Sequence, residues 1–132
     1  MQTIDKRRSQ FKALHAERKA FVMPNPFDVG TTRILEGLQF EALATTSAGF
    51  AFTHGLKDAE GLITRDMALE HAQSIVEAST LPVNGDLENG FGHSPEDVVE
   101  TVKGAIEVGL SGCSIEDYTT NPDDPYYAFD LA

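Results

Sequence analysis

Asp86 and Glu88 stand two apart in the run Pro82-Val83-Asn84-Gly85-Asp86-Leu87-Glu88-Asn89-Gly90-Phe91-Gly92. Glu116 follows in Cys113-Ser114-Ile115-Glu116-Asp117, and Asp58 lies upstream. Each falls at or just beyond the end of an expected strand, so the carboxylates would meet at the mouth of a parallel sheet. Alternate residues of an extended segment point to one side, which aligns Asp86 with Glu88. Acids gathered this closely repel one another and resist ionisation. A hard divalent cation relieves the repulsion. Magnesium takes oxygen ligands and keeps several waters, so it is the expected ion, with manganese as the substitute. The competing reading has Glu88 and Glu116 capping helices or pairing with lysines; the charge balance weakens it.

That balance is lopsided. The 132-residue chain carries a net charge of −11, yet residues 1–20 hold six basic side chains and two acidic ones. The remainder has four basic and nineteen acidic residues, a net of −15. Such a surface repels nucleic acid, whose binding needs an excess of lysine and arginine. The basic opening stretch reads as the solvated face of a helix. Cys113 is the single cysteine, so no intrachain disulfide is possible. No apolar run approaches membrane-spanning length, and no signal-peptide pattern opens the chain. A cytoplasmic protein with no membrane partner is expected.

The elements that must position the acids alternate. Residues 3–19 read as a helix anchored by Ile4, Phe11 and Leu14. Apolar runs at Ala20–Met23, Ala42–Thr46, Leu81–Leu87 and Leu110–Ile115 read as four strands. Between them fall three helices. Asp28 is the expected cap of Val29–Leu38, with Ile34, Leu35 and Leu38 on one face. Thr64 caps the next, running to about Ser79 with Met67, His71 or Ala72, Ile75 and Val76 at helical spacing. Ser94-Pro95-Glu96-Asp97 starts the third, with Val98, Val102, Ala105 and Ile106 at helical spacing and Gly109 as its stop. Strand–helix alternation implies parallel strands with right-handed crossovers, hence an α/β sheet in one domain over residues 1–132.

One connection is too long. Seventeen residues separate Thr46 from Thr64 with little helical period, where such a loop usually takes about 2–6. It contains Ser47-Ala48-Gly49 and Asp58, with Gly55 and Gly61 as hinges, and reads as a mobile lid over the acids.

Four ordered motifs now become informative together: Ala44-Thr45-Thr46-Ser47-Ala48-Gly49, Gly55-Leu56-Lys57-Asp58, Asp86 to Gly92, and Ser114-Ile115-Glu116-Asp117. With the opening Val22-Met23-Pro24-Asn25-Pro26-Phe27-Asp28, they resemble the isocitrate lyase and phosphoenolpyruvate mutase superfamily, in particular its smaller bacterial members. The resemblance covers residues 20–132. It implies a (β/α)₈ TIM barrel that binds magnesium and a small anionic α-keto or 2-hydroxy acid. It implies lyase, decarboxylase or phosphonomutase chemistry through an enolate, in a homo-oligomer. It also implies roles. Asp86 would bind the metal directly, and Glu88 and Glu116 would hold its waters. Ser47, Ala48 and Gly49 would donate to the substrate, and Asp58 would approach metal and substrate as the lid closes.

The sequence departs from that pattern twice. Lyases of the superfamily carry a Lys-Lys/Arg-Cys-Gly-His loop after the fourth strand, whereas Tyr118–Pro125 here contains no cysteine or histidine. Cys113 precedes the carboxylates and reads as a buried core thiol. Second, four strands make half a barrel, which in full takes about 250 residues, so the chain reads as a truncated amino-terminal half. Two other functions compete: a non-catalytic, self-associating half-barrel, and a pyruvate-type class II aldolase, against which the glycine-flanked Asp86–Glu88 motif argues. His54 and His93 sit in loops at the acidic end, while His15 and His71 read as structural. Phe50, Phe52 and Phe91 are expected to pack the lid and the barrel mouth.

Overall fold

A computed structural model describes residues 3–17 and 19–132. Three short strands, β1 (Leu43–Ala44), β2 (Val83–Asp86) and β3 (Gly112–Ser114), form a parallel sheet in the order β1-β2-β3. Leu43 lies opposite Val83, and Asp86 lies opposite Ser114. The expected first strand at Ala20–Met23 does not form. Its chain passes beside β1, where Ala44 N–H donates to Pro24 O at 3.1 Å and Asn25 Nδ2 donates to Ala44 O at 3.1 Å. Pro24 and Pro26 have no N–H to give, so a ladder cannot propagate there. The apolar run is used differently: Phe21 and Met23 pack against Phe11, Leu14 and Ala42.

Among the described residues five helices flank the sheet: α1 (Ile4–Ala16), α2 (Val29–Gly37), α3 (Ser47–Thr53), α4 (Arg65–Ala78) and α5 (Pro95–Glu107). The opening helix is thus shorter than the expected 3–19, ending at a Glu17 cap, and Arg18 lies outside the described residues. Local side chains start the others. Asp28 accepts from Thr31 N–H in a capping box at α2, Thr64 accepts from Met67 N–H at α4, and Ser94 and Asp97 form a second box at α5, with Pro95 in its first turn. Gly109 ends α5 at φ +89°, a conformation that costs a residue with a Cβ.

The main core joins Leu43, Val83 and Leu87 to Ala72, Ile75 and Val76 of α4, with Ala105 of α5 and Leu110. The inward face of α2 is narrower than its sequence suggests. Thr32 is buried and Leu35 packs on the core, while Ile34 and Leu38 are both 64% exposed. The basic face of α1 is not simply solvated. Arg7 is buried and donates to Val76 O at 2.8 Å, and Arg8 donates to Ile106 O at 2.7 Å and Leu110 O at 3.0 Å. Two guanidinium groups therefore cap carbonyls at the ends of α4 and α5, where the helix dipoles favour positive charge. Gly112 lets α1 lie this close, since a Cβ there would stand 2.5 Å from Phe11 Cε1.

β3 is paired on one side only, which explains a further correction: Cys113 is exposed rather than buried. The long connection also differs from expectation. Its first part is α3, capped by Thr46, whose hydroxyl accepts from Gly49 N–H, so only residues 54–64 remain irregular. Phe50 and Phe91 pack as expected, but Phe52 is 64% exposed because it faces away from the Phe50–Ile63–Ala68 cluster. Among the described residues no helix is long and apolar enough to cross a membrane.

Candidate active site

β2 ends on Asp86, and the chain fixes that residue by its backbone and by its side chain. Asp86 N–H donates to Thr45 Oγ1 at 2.8 Å, and Asp86 Oδ2 accepts from Ser47 N–H at 2.8 Å. The second bond joins the end of β2 to the first residue of α3. Gly49 N–H is taken by Thr46 Oγ1 at 3.1 Å. Of the three expected substrate donors, Ser47–Gly49, this leaves the Ala48 N–H and the Ser47 hydroxyl without a hydrogen-bond partner among the described residues.

Glu88 follows by a different backbone from the one its spacing implied. The strand stops at Asp86, and Glu88 sits at φ +47°, in the left-handed region. Alternation along a strand therefore does not aim it. Its position comes from pairing with the next crossover, since Glu116 N–H donates to Glu88 O at 2.7 Å. The same bond brings Glu116 beside it. Asp58 comes from the irregular stretch after α3. Ser47, Asp58, Glu88 and Glu116 line one cleft of about 50 Å³ with Ala59, Asn89, Tyr118 and Thr120. Asp86 opens into the adjoining space with Ser47 and Glu88.

The electrostatics follow from that crowding. Burial first, then the charges of Asp58, Asp86 and Glu116, push the Glu88 carboxyl up to about 7. Burial also raises Glu116, followed by Asp86, Asp58 and Asp117. No lysine, arginine or histidine lines the 50 Å³ cleft. Among the described residues, no group of three or more His, Cys, Asp or Glu side chains is closed tightly enough to wrap an ion directly. The donor set is nonetheless all oxygen, negatively charged and short of compensation, which suits a hard cation held by one carboxylate and by waters on the others.

Several neighbours carry no sequence signal of their own. Thr45 orients Asp86, and Tyr118 and Thr120 close the cleft from the segment after Glu116. That segment turns back on itself. Tyr118 and Tyr126 form an antiparallel bridge, and Tyr127 Oη takes a hydrogen bond from Asn89 Nδ2 at 3.1 Å. Ala59, Glu88, Phe91 and Thr120 all have positive φ, so strained non-glycine backbone concentrates around the cleft and its margin. Such turns leave no periodicity to read.

The histidines divide as follows. His93 shares a 2.7 Å hydrogen bond with Tyr127 Oη, and His54 Nδ1 lies 3.1 Å from Phe50 O. His15 Nδ1 bonds Phe11 O within α1. His71 stacks on Phe50, bonds Phe27 O at 3.0 Å through Nε2, and borders the space beside Asp86; burial lowers its affinity for a proton.

Comparison with known proteins places this arrangement. The phosphoenolpyruvate phosphomutase family pattern matches residues 11–132. The 2,3-dimethylmalate lyase of Eubacterium barkeri is 29% identical over 109 residues, covering 83% of this chain and 37% of the lyase. A crystal structure of 2,3-dimethylmalate lyase, described as a PEP mutase/isocitrate lyase superfamily member, superposes with a TM-score of 0.84 at 28% identity, over 99% of this chain and 44% of that one. A Burkholderia cenocepacia J2315 protein with the provisional description lyase/mutase superposes at 0.92 with 50% identity, over 96% of this chain and 45% of its own. The chain thus spans less than half the length of these relatives. With a family match over nearly all its residues, it belongs to the phosphoenolpyruvate phosphomutase family, within the isocitrate lyase and phosphoenolpyruvate mutase superfamily.

Proposed function

We propose that the complete protein is a divalent-metal-dependent lyase, decarboxylase or phosphonomutase acting on a small α-keto or 2-hydroxy acid through an enolate. This chain would supply the amino-terminal half of a (β/α)₈ barrel and its acidic mouth. The observation that carries the reading is Glu88, half-buried among Asp58, Asp86 and Glu116 in a cleft without a basic residue. Crowding of that kind costs stability and is retained at sites that use it. Magnesium or manganese, held by Asp86 with Glu88, Glu116 and Asp58 around its waters, would supply a Lewis acid for the carboxylate and carbonyl oxygens of the substrate.

The chain's own groups do the rest. Ser47 N–H holds the Asp86 carboxylate in one orientation, and Thr45 anchors the Asp86 backbone. The Ala48 N–H, an unpaired donor at the start of α3, and the Ser47 hydroxyl face the anionic end of the substrate and stabilise charge that grows on its oxygens. Asp58 moves in with the 54–64 segment, and Tyr118 and Thr120 shut out water from the other side. No thiol or imidazole lies in the 50 Å³ cleft, so cleavage through a cysteine acid or base is not the route we assign. The partner is a small organic acid, the setting cytoplasmic, and the assembly a homo-oligomer.

Exchange of the methyl hydrogens of pyruvate for deuterium, followed by NMR, tests the reading. Exchange is expected with magnesium and is lost on chelation or in Asp86→Asn. Exchange indifferent to both would contradict it.

A further inference from the structure

We propose that the open edge of β3 and the outer face of α5 together form a docking surface for a second copy of this chain, in a closed two-fold dimer. Such a dimer gives the homo-oligomer proposed above a face and a symmetry. Detecting it needs neither metal nor substrate, so its failure leaves the reading of the carboxylate site untouched.

Two uncovered features lie side by side. Among the described residues β3 pairs with β2 alone, and its Cys113 and Ser114 are exposed. Outward N–H and C=O groups of such a strand are free to take another strand. On α5, Val99, Val102 and Ile106 recur at i, i+3 and i+7 and so share one face. That face points away from α4, which meets the opposite side of α5: Arg65 bonds Thr101, and a Cβ on Gly104 would stand 2.4 Å from Leu69 Cδ1. Val99 and Ile106 are each more than half exposed. A hollow of about 380 Å³ between Pro95 and Val98 of α5 and Ile115, just past β3, joins the helix face to the strand.

Area and charge select the occupant. The chain exposes 7898 Å², whereas a self-contained monomer of 14.3 kDa exposes about 6,800 Å². The excess of about 1,100 Å² is larger than the roughly 800 Å² that each partner gives to an interface of standard size. Neither Gly112–Ser114 nor the Val99, Val102 and Ile106 stripe carries a charge, so two copies that repel through a net charge of −11 can meet there. One symmetry operation serves both features. A two-fold axis perpendicular to the sheet pairs the β3 edges antiparallel and lays α5 against its own copy on one side of the sheet. Cys113, the middle residue of β3, then faces Cys113 of the second copy at about 4.5–5.5 Å between Cα atoms, within reach of a disulfide. A two-fold closes on itself, so the assembly stops at two. Antiparallel pairing points the two carboxylate mouths in opposite directions and leaves both open.

Sedimentation equilibrium of the 132-residue chain, with mild oxidation by copper phenanthroline, tests the pairing. The wild type should show monomer and dimer with nothing larger, and oxidation should link the dimer through Cys113 while its circular dichroism is kept. Ile106→Glu sets like charges across the axis and should weaken dimerisation about tenfold or more. Phe52→Glu alters a comparably exposed residue of α3, which follows β1 at the far side of the sheet, and should leave dimerisation unchanged. A monomer at every concentration overturns the proposal and leaves the face to another partner. Species larger than a dimer overturn the two-fold. A dimer that resists Ile106→Glu, or yields equally to Phe52→Glu, overturns the face. A dimer that oxidation does not link overturns the strand pairing, and that result needs no variant to fold.

Discussion

Glu88 keeps its proton to about pH 7 because burial and three neighbouring carboxylates all oppose its ionisation. Its ordinary value is 4.5. Between those values the folded chain holds a proton that the unfolded chain has released, so stability falls as pH rises through that window and levels off above it. Glu88 is only partly buried, so the loss is discounted for solvent screening to about 1–2 kcal/mol. Glu88→Gln should therefore raise the Tm at pH 8 and leave it unchanged at pH 4. Thermal unfolding at the two pH values checks this, and an equal effect at both would contradict it. The identities of these acids were legible in the sequence because carboxylates next to glycines, in an otherwise acidic chain, have few structural uses. Their aim was not: Glu88 is placed by a left-handed residue and a bond to Glu116, and neither leaves a trace in the spacing.

At the scale of elements, the starts of α2, α4 and α5 were readable because each depends on a cap within three residues. α3 was not, since its seven residues show too little apolar period and follow Thr46 without a break. The run Ala20–Met23 has the composition of a strand, but prolines next to it deny it a ladder. The two arginines of α1 illustrate the same limit. Sequence places them on a charged helix, and only packing shows that they reach carbonyls on α4, α5 and the approach to β3. Arg7→Ala should cost about 2 kcal/mol, since a buried carbonyl loses a charged donor. Urea unfolding measures it, and an unshifted midpoint would return Arg7 to the solvent face that the sequence implied.

For the whole molecule, a three-stranded parallel sheet with β3 paired on one side presents an open edge. Ile115 is partly exposed beside it, and Phe129 is 93% exposed. Open strand edges with nearby apolar surface favour association. Sedimentation should show an average mass that rises with concentration, and a monomer across the range would remove the self-associating reading. Fold class was legible at this scale because alternating strand and helix patterns admit few topologies. The central claim is that the carboxylate mouth assembles within this chain as a metal-dependent site for an enolate-forming acid. Calorimetric titration of oxalate, a planar mimic of an enolate of pyruvate type, tests it most directly. The account predicts binding that requires magnesium and is lost in Asp86→Asn. Oxalate binding that is indifferent to the metal, or no binding in its presence, would contradict it.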